Sequence, residues 1–386
     1  MDGDDALPDG ASLRDRPTAY AAVVVIACDR VKYLTRTVES IARAVASSPD
    51  PKKTREEFPL FISQDGDDAR TTTYARTLEG KFYHVRHRQE RLPKLRDGDS
   101  ARHRAYYRIS AHYKHALGRL FDDLGYERVV ILEDDMDLAP DFFAYFRRLG
   151  DVLERDPSVY AISSWNDNGQ KSLVKDERRL YRSDFFPGLG WMMHARLWKE
   201  LRPKWPDAYW DDWMRQSAVR LGRETIRPEV CRTFNFGEKG ASEGQWYKTH
   251  LANVKLASEK VDWGNEDLSY LDADAYERAV AEAVDAATPA RDPSQITRAE
   301  ITNPKGVFKV LYKDEAEFRR LAAKFHVFPE WKDGVPRGGY RGVVHLKMND
   351  GRHEVMLVPR DAAKVTKTFA EYLASVDGGK AEVLGL

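Results

Sequence analysis

Cysteine is nearly absent: Cys28 and Cys231 are the only two in 386 residues. Disulfides therefore do not define the fold, and whether these two pair cannot be read from sequence. Long apolar runs are missing too. The longest uncharged one, from Ala19 to Cys28, covers ten residues and stops at Asp29, too few to span a bilayer. The first 18 residues are polar and acidic and read as a disordered lead-in, not as a signal peptide. Two expectations stay open: a soluble, cytoplasmic protein, or one whose targeting segment is removed or unrecorded. Net charge is absent as well, with 62 Lys+Arg against 62 Asp+Glu, so long-range attraction to nucleic acid or to an acidic membrane has no global support. No HxH pair or His-rich acidic cluster offers a two-metal site, no GxxxxGK[ST] run offers a phosphate loop, and no Ser/His/Asp constellation calls for a covalent nucleophile. Internal repeats are not found.

Aromatic residues are plentiful: nine Trp, 18 Tyr and 16 Phe. They build cores, and they also line carbohydrate and nucleotide pockets. The most informative stretch is VVILEDDMD, in which four apolar residues, Val129 to Leu132, run into Glu133-Asp134-Asp135. A buried strand ending in carboxylates carries negative charge to the carboxyl edge of a sheet, where open α/β folds form ligand crevices. Crowded hard oxygens need solvent, protons or a cation, so the cluster suggests a divalent metal and a phosphorylated ligand. The plainer alternative is a helix start, since Ala139-Pro140-Asp141 looks like a helix opening.

Apolar runs and amphipathic segments alternate along the chain. Strands are expected at Val23–Ala27, Leu60–Ile62, Phe82–Val85, Arg128–Leu132 and Val159–Ser163, with helices at Thr35–Val45, Ala105–Leu120 and from Asp141. This βαβ alternation predicts a mostly parallel sheet with helices on both faces. The basic connector 86–104 reads as a solvated loop, because it lacks the interleaved aromatics of a single-strand platform. The pattern changes near residue 255. Beyond it come a helix at Asp274–Val284, a linker-like stretch at 286–294, strands at Val307–Leu311, Val343–Lys347 and Val355–Val358, and a helix at Glu315–Phe325. The expected organisation is a lead-in over 1–18, a catalytic domain over 19–255 and a smaller α+β domain over 256–386.

Between Ser163 and Gln245 lies the remaining chemistry. Ser164-Trp165-Asn166-Asp167-Asn168-Gly169 offers amides and a carboxylate on a loop, and Asp184-Phe185-Phe186-Pro187-Gly188-Leu189-Gly190-Trp191 joins an acid, aromatics and glycines. In Trp210-Asp211-Asp212-Trp213-Met214-Arg215 two carboxylates stand between indoles. On a helix they point about 100° apart, so one can face a pocket while the other caps or pairs with Arg215. Indole beside carboxylate suits sugar binding, and an acid in an aromatic pocket suits a general base. A helix N-terminus with anchoring tryptophans is the structural alternative. Phe236-Gly237-Glu238-Lys239-Gly240-Ala241-Ser242-Glu243-Gly244-Gln245 has the glycine spacing of a mobile loop, either an ordinary surface loop or, with a metal site upstream, a lid over a diphosphate.

The set LEDDMDLAPDFFAYF, SSWNDNGQ, LYRSDFFPGLGW, KWPDAYWDDWMR and FGEKGASEGQ resembles the N-acetylglucosaminyltransferase I family, from about Ala22 through Gly342. The resemblance implies a glycosyltransferase-A type, Rossmann-like nucleotide-sugar domain with a smaller C-terminal α+β domain. It implies UDP-N-acetylglucosamine (UDP-GlcNAc) as donor, Mn²⁺ as cofactor, a Golgi location, and inverting β1,2 transfer to the α1,3-arm mannose of a high-mannose N-glycan. By position, Asp135 matches the metal ligand, with Glu133 and Asp134 completing the donor side. Arg30, Asp65 and His112 match nucleotide-sugar contacts, and Ser242 matches a loop serine at the diphosphate. Asp211 matches the catalytic base, with Trp210 and Asp212 as support. The chain departs from animal members in two ways: their membrane anchor and stem are not here, and a cysteine after the Asp65 position is Gly66, which removes a partner for Cys28. Other readings of the same residues are β1,2 transfer to protein O-linked mannose, a non-catalytic glycan-binding module, and a metal-dependent phosphoester hydrolase.

Overall fold

A computed structural model describes residues 19–88, 94–238, 240, 247, 250–299, 305–361 and 368–374; the lead-in expected over 1–18 lies outside them. The first half alternates strand and helix: β1 (Ala22–Ala27), α1 (Val31–Ser47), α2 (Pro51–Glu57), β2 (Leu60–Asp65), α3 (Ala69–Arg76), β3 (Tyr83–His87), α4 (Arg104–Gly118), β4 (Arg128–Glu133), β5 (Met136–Leu138), α5 (Phe142–Arg155) and β6 (Val159–Ser163). Next come β7 (Leu180–Ser183), β8 (Trp191–His194), α6 (Ala195–Leu201), α7 (Trp210–Met214), α8 (Ser217–Arg220), β9 (Glu224–Pro228) and β10 (Thr233–Asn235).

The main sheet has the order β3-β2-β1-β4-β8-β6-β9-β7. Strands β3, β2, β1 and β4 run parallel, while β8 lies antiparallel between β4 and β6. The sheet is thus parallel-rich but mixed. Every residue of β1 is buried, which suits a central strand covered on both faces. Its side chains alternate. Val23 and Val25 join Leu34, Val38 and Ile41 of α1 in one core, and Ala22, Val24 and Ile26 join Tyr113, Ala116 and Leu117 of α4 in the other. Local signals start the helices: Asp50 caps α2 with Pro51 in its first turn, and Asp68 caps α3 by accepting from Thr71 N–H.

The remaining elements are α9 (Ala273–Ala286), β11 (Thr288–Ala290), α10 (Pro293–Ala299), β12 (Val307–Tyr312), α11 (Glu315–Phe325), β13 (Trp331–Lys332), β14 (Val335–Pro336), β15 (Val344–Met348), β16 (His353–Pro359) and α12 (Phe369–Ala374). Residues expected to be linker-like at 286–294 form β11 and the start of α10. Val261, Trp263, Leu271, Tyr276 and Val280 join the core of the main sheet. A separate core is built under the β11-β12-β16-β15 sheet from residues such as Ile296, Phe308, Phe318 and Leu357. Buried polar contacts lock the two parts together: Asp184 N–H donates to Gly339 O at 2.8 Å, and Arg337 pairs with Asp167 at 2.8 Å. No helix among the described residues is long and apolar enough to cross a membrane.

Candidate active site

Strand β4 delivers the acids to the carboxyl edge of the sheet, beside the end of β1, where Ile26 is the register partner of Glu133. Helix α1 then fixes the turn that follows. Thr37 Oγ1 donates to Asp134 O at 2.8 Å and accepts from Met136 N–H at 2.9 Å, while Ser40 Oγ accepts from Leu138 N–H at 2.8 Å. Asp134 and Asp135 are buried. Arg30, at the start of α1, pairs with both: Nη1 lies 2.8 Å from Asp135 Oδ2, and Nη2 bonds Asp134 Oδ1. Asn235 Nδ2 donates to Asp135 Oδ1 at 2.9 Å, placed there because β10 pairs with β5 at Asn235↔Met136. Tyr113 Oη donates to Glu133 at 2.9 Å.

Three carboxylates thus face one guanidinium, and their burial shows in their proton affinity. Burial pushes Asp134 up to about 7, with Arg30 pulling it back. Burial also raises Glu133 and Asp135, and the charge of Asp135 adds to the rise at Glu133. Among the described residues no group of three or more His, Cys, Asp or Glu side chains is arranged as a metal cage. The donor set instead fits a hard cation that takes one carboxylate, at Asp135, and fills its shell with ligand and water oxygens.

The other nucleotide-side candidates meet one another at the ends of β2 and β3. Asp65 pairs in register with His87, and His87 Nδ1 lies 2.9 Å from Asp65 Oδ1. The His87 ring stacks on His112 at 5.5 Å. His112 is buried and bonded through Nε2 to Ser63 Oγ at 2.8 Å; burial holds its imidazole down at about 3, so it is neutral. Asp65, His112, Arg30 and the acids all sit at the ends of neighbouring parallel strands or on the helices beside them. Ser242 lies outside the described residues, as does most of the expected lid; of that segment Gly237, Glu238 and Gly240 are described. Cys28, one residue past β1, is exposed, whereas Cys231 is buried, and both thiols are free.

Asp211 stands in the first turn of α7, half-buried, with Oδ2 at 2.9 Å from Arg215 Nη1. The same Nη1 reaches Asp212 Oδ1 at 3.2 Å. Burial raises the proton affinity of Asp211, but Arg215, the backbone N–H groups of Asp212 and Asp211 and the charge of Arg337 together outweigh it, and the carboxyl ends below its ordinary value. Arg215 is itself steered by Phe186 O, which accepts from its Nε at 3.0 Å. Trp210 is buried and stacks on Tyr113 at 4.2 Å, on Trp191 at 5.7 Å and on Trp205 at 6.1 Å. Tyr113 therefore joins the two halves of the site, its hydroxyl on Glu133 and its ring on the residue before Asp211. Tyr209, just ahead of α7, has φ of 55°, a left-handed conformation that costs an aromatic residue energy and is found where a surrounding structure enforces it.

The loop at 164–169 is not an open ligand surface. Asn166 Nδ2 donates to Glu229 O at 2.7 Å, Asn168 Oδ1 accepts from Phe328 N–H at 2.7 Å, and Asp167 holds Arg337. These groups are buried and brace the segment from 328 to 341. Sequence reasoning did not find Tyr113, Asn235, Thr37 or His87 as supports, since none carries a local motif.

A sequence model of the GNT-I family matches residues 11–368. The chain belongs to the GNT-I family. A relative from Arabidopsis thaliana, named alpha-1,3-mannosyl-glycoprotein 2-beta-N-acetylglucosaminyltransferase, is 45% identical over 339 residues, which is 88% of this chain and 74% of that protein. Two solved structures are more distant. Residues 1–349 of S. aureus TarS align at 12% identity with a TM-score of 0.38, over 56% of this chain and 61% of that one. The galactosyltransferase LgtC, with donor and acceptor sugar analogs, aligns at 15% identity with a TM-score of 0.26, over 45% and 58%. Within this GNT-I family chain Arg30, Asp65, His112 and the acids 133–135 lie at one edge of one sheet, and Tyr113 links Glu133 there to Trp210, the neighbour of Asp211.

Proposed function

We propose that the protein transfers N-acetylglucosamine from UDP-GlcNAc, in β1,2 linkage and with inversion, to the α1,3-arm mannose of a high-mannose N-glycan. The observation that carries this reading is the Tyr113 link, which sets a half-buried carboxylate, Asp211, beside a buried acid cluster at the carboxyl edge of a parallel strand set. The name of the Arabidopsis relative supports the donor sugar, the linkage and the acceptor.

The proposed roles come from the family resemblance, and the geometry supports them. Asp65 at the end of β2 and His112 midway along α4 lie where a uridine would sit, and a neutral His112 can hydrogen-bond without adding charge. Glu133 and Asp134 shape the wall beside the sugar. Asp135 would hold Mn²⁺, which when bound supplies neutralisation of the charge on departing UDP. Asp211 takes the proton of the mannose 2-hydroxyl as that oxygen attacks the anomeric carbon from the face opposite UDP. The C–O bond to UDP breaks as the new one forms, so an α-linked donor gives a β-linked product. Arg215, with the backbone N–H groups of the turn and Arg337, favours the ionised form of Asp211, and the carboxyl is neutral once it holds the proton. Ser242 is assigned to the diphosphate by resemblance alone. Work in the Golgi lumen is part of the proposal by family resemblance.

The test is a transfer assay with Mn²⁺, UDP-GlcNAc and a trimmed high-mannose glycan, run beside an O-mannosyl peptide and read by mass. A gain of one N-acetylhexosamine on the glycan supports the proposal. Gain on the peptide alone moves the acceptor to O-mannose, and donor binding with no product on either moves the protein to a glycan-binding module.

A further inference from the structure

The base does not stand alone with its arginine. Asp211 and Asp212 share a single guanidinium nitrogen, Arg215 Nη1, at 2.9 and 3.2 Å. Whatever that nitrogen gives to Asp212 it withholds from Asp211. The second oxygen of Asp212, Oδ2, is met by Lys332 Nζ at 3.1 Å. Lys332 comes from the other part of the molecule, on the short β13–β14 ladder. That ladder is seated against α8 by an independent contact: the Asp333 carboxylate accepts from Ser217 N–H and from Ser217 Oγ. Asp333 itself adopts φ of 48°, so the turn is fixed in an unusual conformation where it meets the catalytic segment.

We infer that Lys332 is a positioning residue for the transfer reaction: by engaging Asp212 it leaves Arg215 to orient Asp211 toward the acceptor hydroxyl. The inference rests on the reading of Asp211 as the base. The four charges, two acids and two cations, balance with Lys332 present and leave one excess negative charge without it. Other charged or titratable groups face Asp211 as well. Arg337, from the same C-terminal segment, favours its ionised form. Tyr113 of α4 is within electrostatic reach of it, and that tyrosine in turn bonds Glu133 of β4. Among the described residues, Arg215 and Lys332 are the cations paired with Asp212.

The experiment is a pH profile of single-turnover transfer at saturating donor and acceptor, using the full chain. Lys332→Met should move the acid limb to higher pH by roughly 0.2–0.7 units, the worth of a partly exposed ion pair, and Lys332→Arg should restore it. The displacement should shrink at about 1 M salt, where the Debye length falls to about 3 Å. Asp212→Asn should move the limb the opposite way, because Arg215 then serves Asp211 alone, and adding Lys332→Met to that variant should change nothing further. An unmoved limb in Lys332→Met, or an equal displacement in the Asp212→Asn background, overturns the inference. Asp211→Asn run alongside separates the two readings. Retained turnover there removes the base assignment, whereas lost turnover with an unmoved Lys332→Met limb removes only the role of Lys332.

Discussion

Asp135 and Gly237 approach so closely that a Cβ added to Gly237 would meet Asp135 Oδ2 at 2.1 Å. Gly237 N–H also donates to Asn235 Oδ1 at 3.1 Å, and Asn235 in turn holds Asp135. The glycine is needed here for space, since any side chain must displace the carboxylate or the loop start.

Gly237→Ala should therefore weaken UDP binding in Mn²⁺ by about tenfold or more, a displacement worth upwards of about 1.4 kcal/mol, while leaving the thermal transition near native. Isothermal titration beside a melting curve checks it; native affinity would mean that Asp135 is not used through this geometry.

Arg30 already occupies Asp134 and Asp135, so the cation must compete with a guanidinium. Mn²⁺ alone is expected to bind poorly and to bind far better with UDP present, with UDP gaining by the same factor. Asp135→Ala should abolish that mutual gain. Equal Mn²⁺ affinity with and without UDP would contradict the scheme.

Asp211→Asn should bind UDP-GlcNAc almost normally yet lose turnover by roughly two or more orders of magnitude, the usual contribution of a general base. Steady-state rates with a donor titration decide it.

His112 predicts a pH dependence of stability. Its folded value, about 3, lies below the ordinary 6.5 because of burial. The unfolded chain therefore binds the proton more readily. The contribution to stability is complete above 6.5 and declines as pH falls toward 3, by about 2 kcal/mol between 6.5 and 5. His112→Gln should flatten that part of the curve by a similar amount in urea melts; an unchanged slope would place the titration elsewhere.

Asp184 is buried with Arg220 at 3.5 Å, and it accepts from Arg341 N–H. Asp184→Ala leaves buried arginine charge without its partner and should cost about 3–5 kcal/mol, visible as an earlier denaturant midpoint.

The sequence made the donor half of the site legible because its physics is local. Four apolar residues of β4 ending in three acids, and the apolar spacing of α1, need no distant partner to be recognised. The reverse holds for β9, whose Glu224 and Arg227 are buried in a strand that reads as polar. Glu224 is satisfied by Arg182 and Arg341, residues 42 and 117 positions away, so no window around β9 reveals it. Strand β8 hides similarly, as four residues set antiparallel between strands far apart in sequence. At the site, Asp211 and its tryptophans stood out, but the support from Tyr113, Asn235 and Lys332 exists only after folding. The 164–169 loop offers amides and an acid after a strand, but here they turn inward, to Glu229 and the 328–341 segment, partners that no local window shows.

The two free thiols have a practical consequence. With no cross-link to form, the chain should reach its fold in a reducing host, and added reductant should leave its melting temperature unchanged. Cys28 is exposed and lies two residues before Arg30, while Cys231 is sealed in the interior. A thiol-reactive dye would thus attach at one native position at the rim of the donor site, giving an optical reporter of nucleotide arrival without mutagenesis. Although Cys28 is exposed, partial desolvation of its thiol, together with Asp29, Asp65 and Asp134, holds it up at about 11, so labelling calls for alkaline buffer and patience.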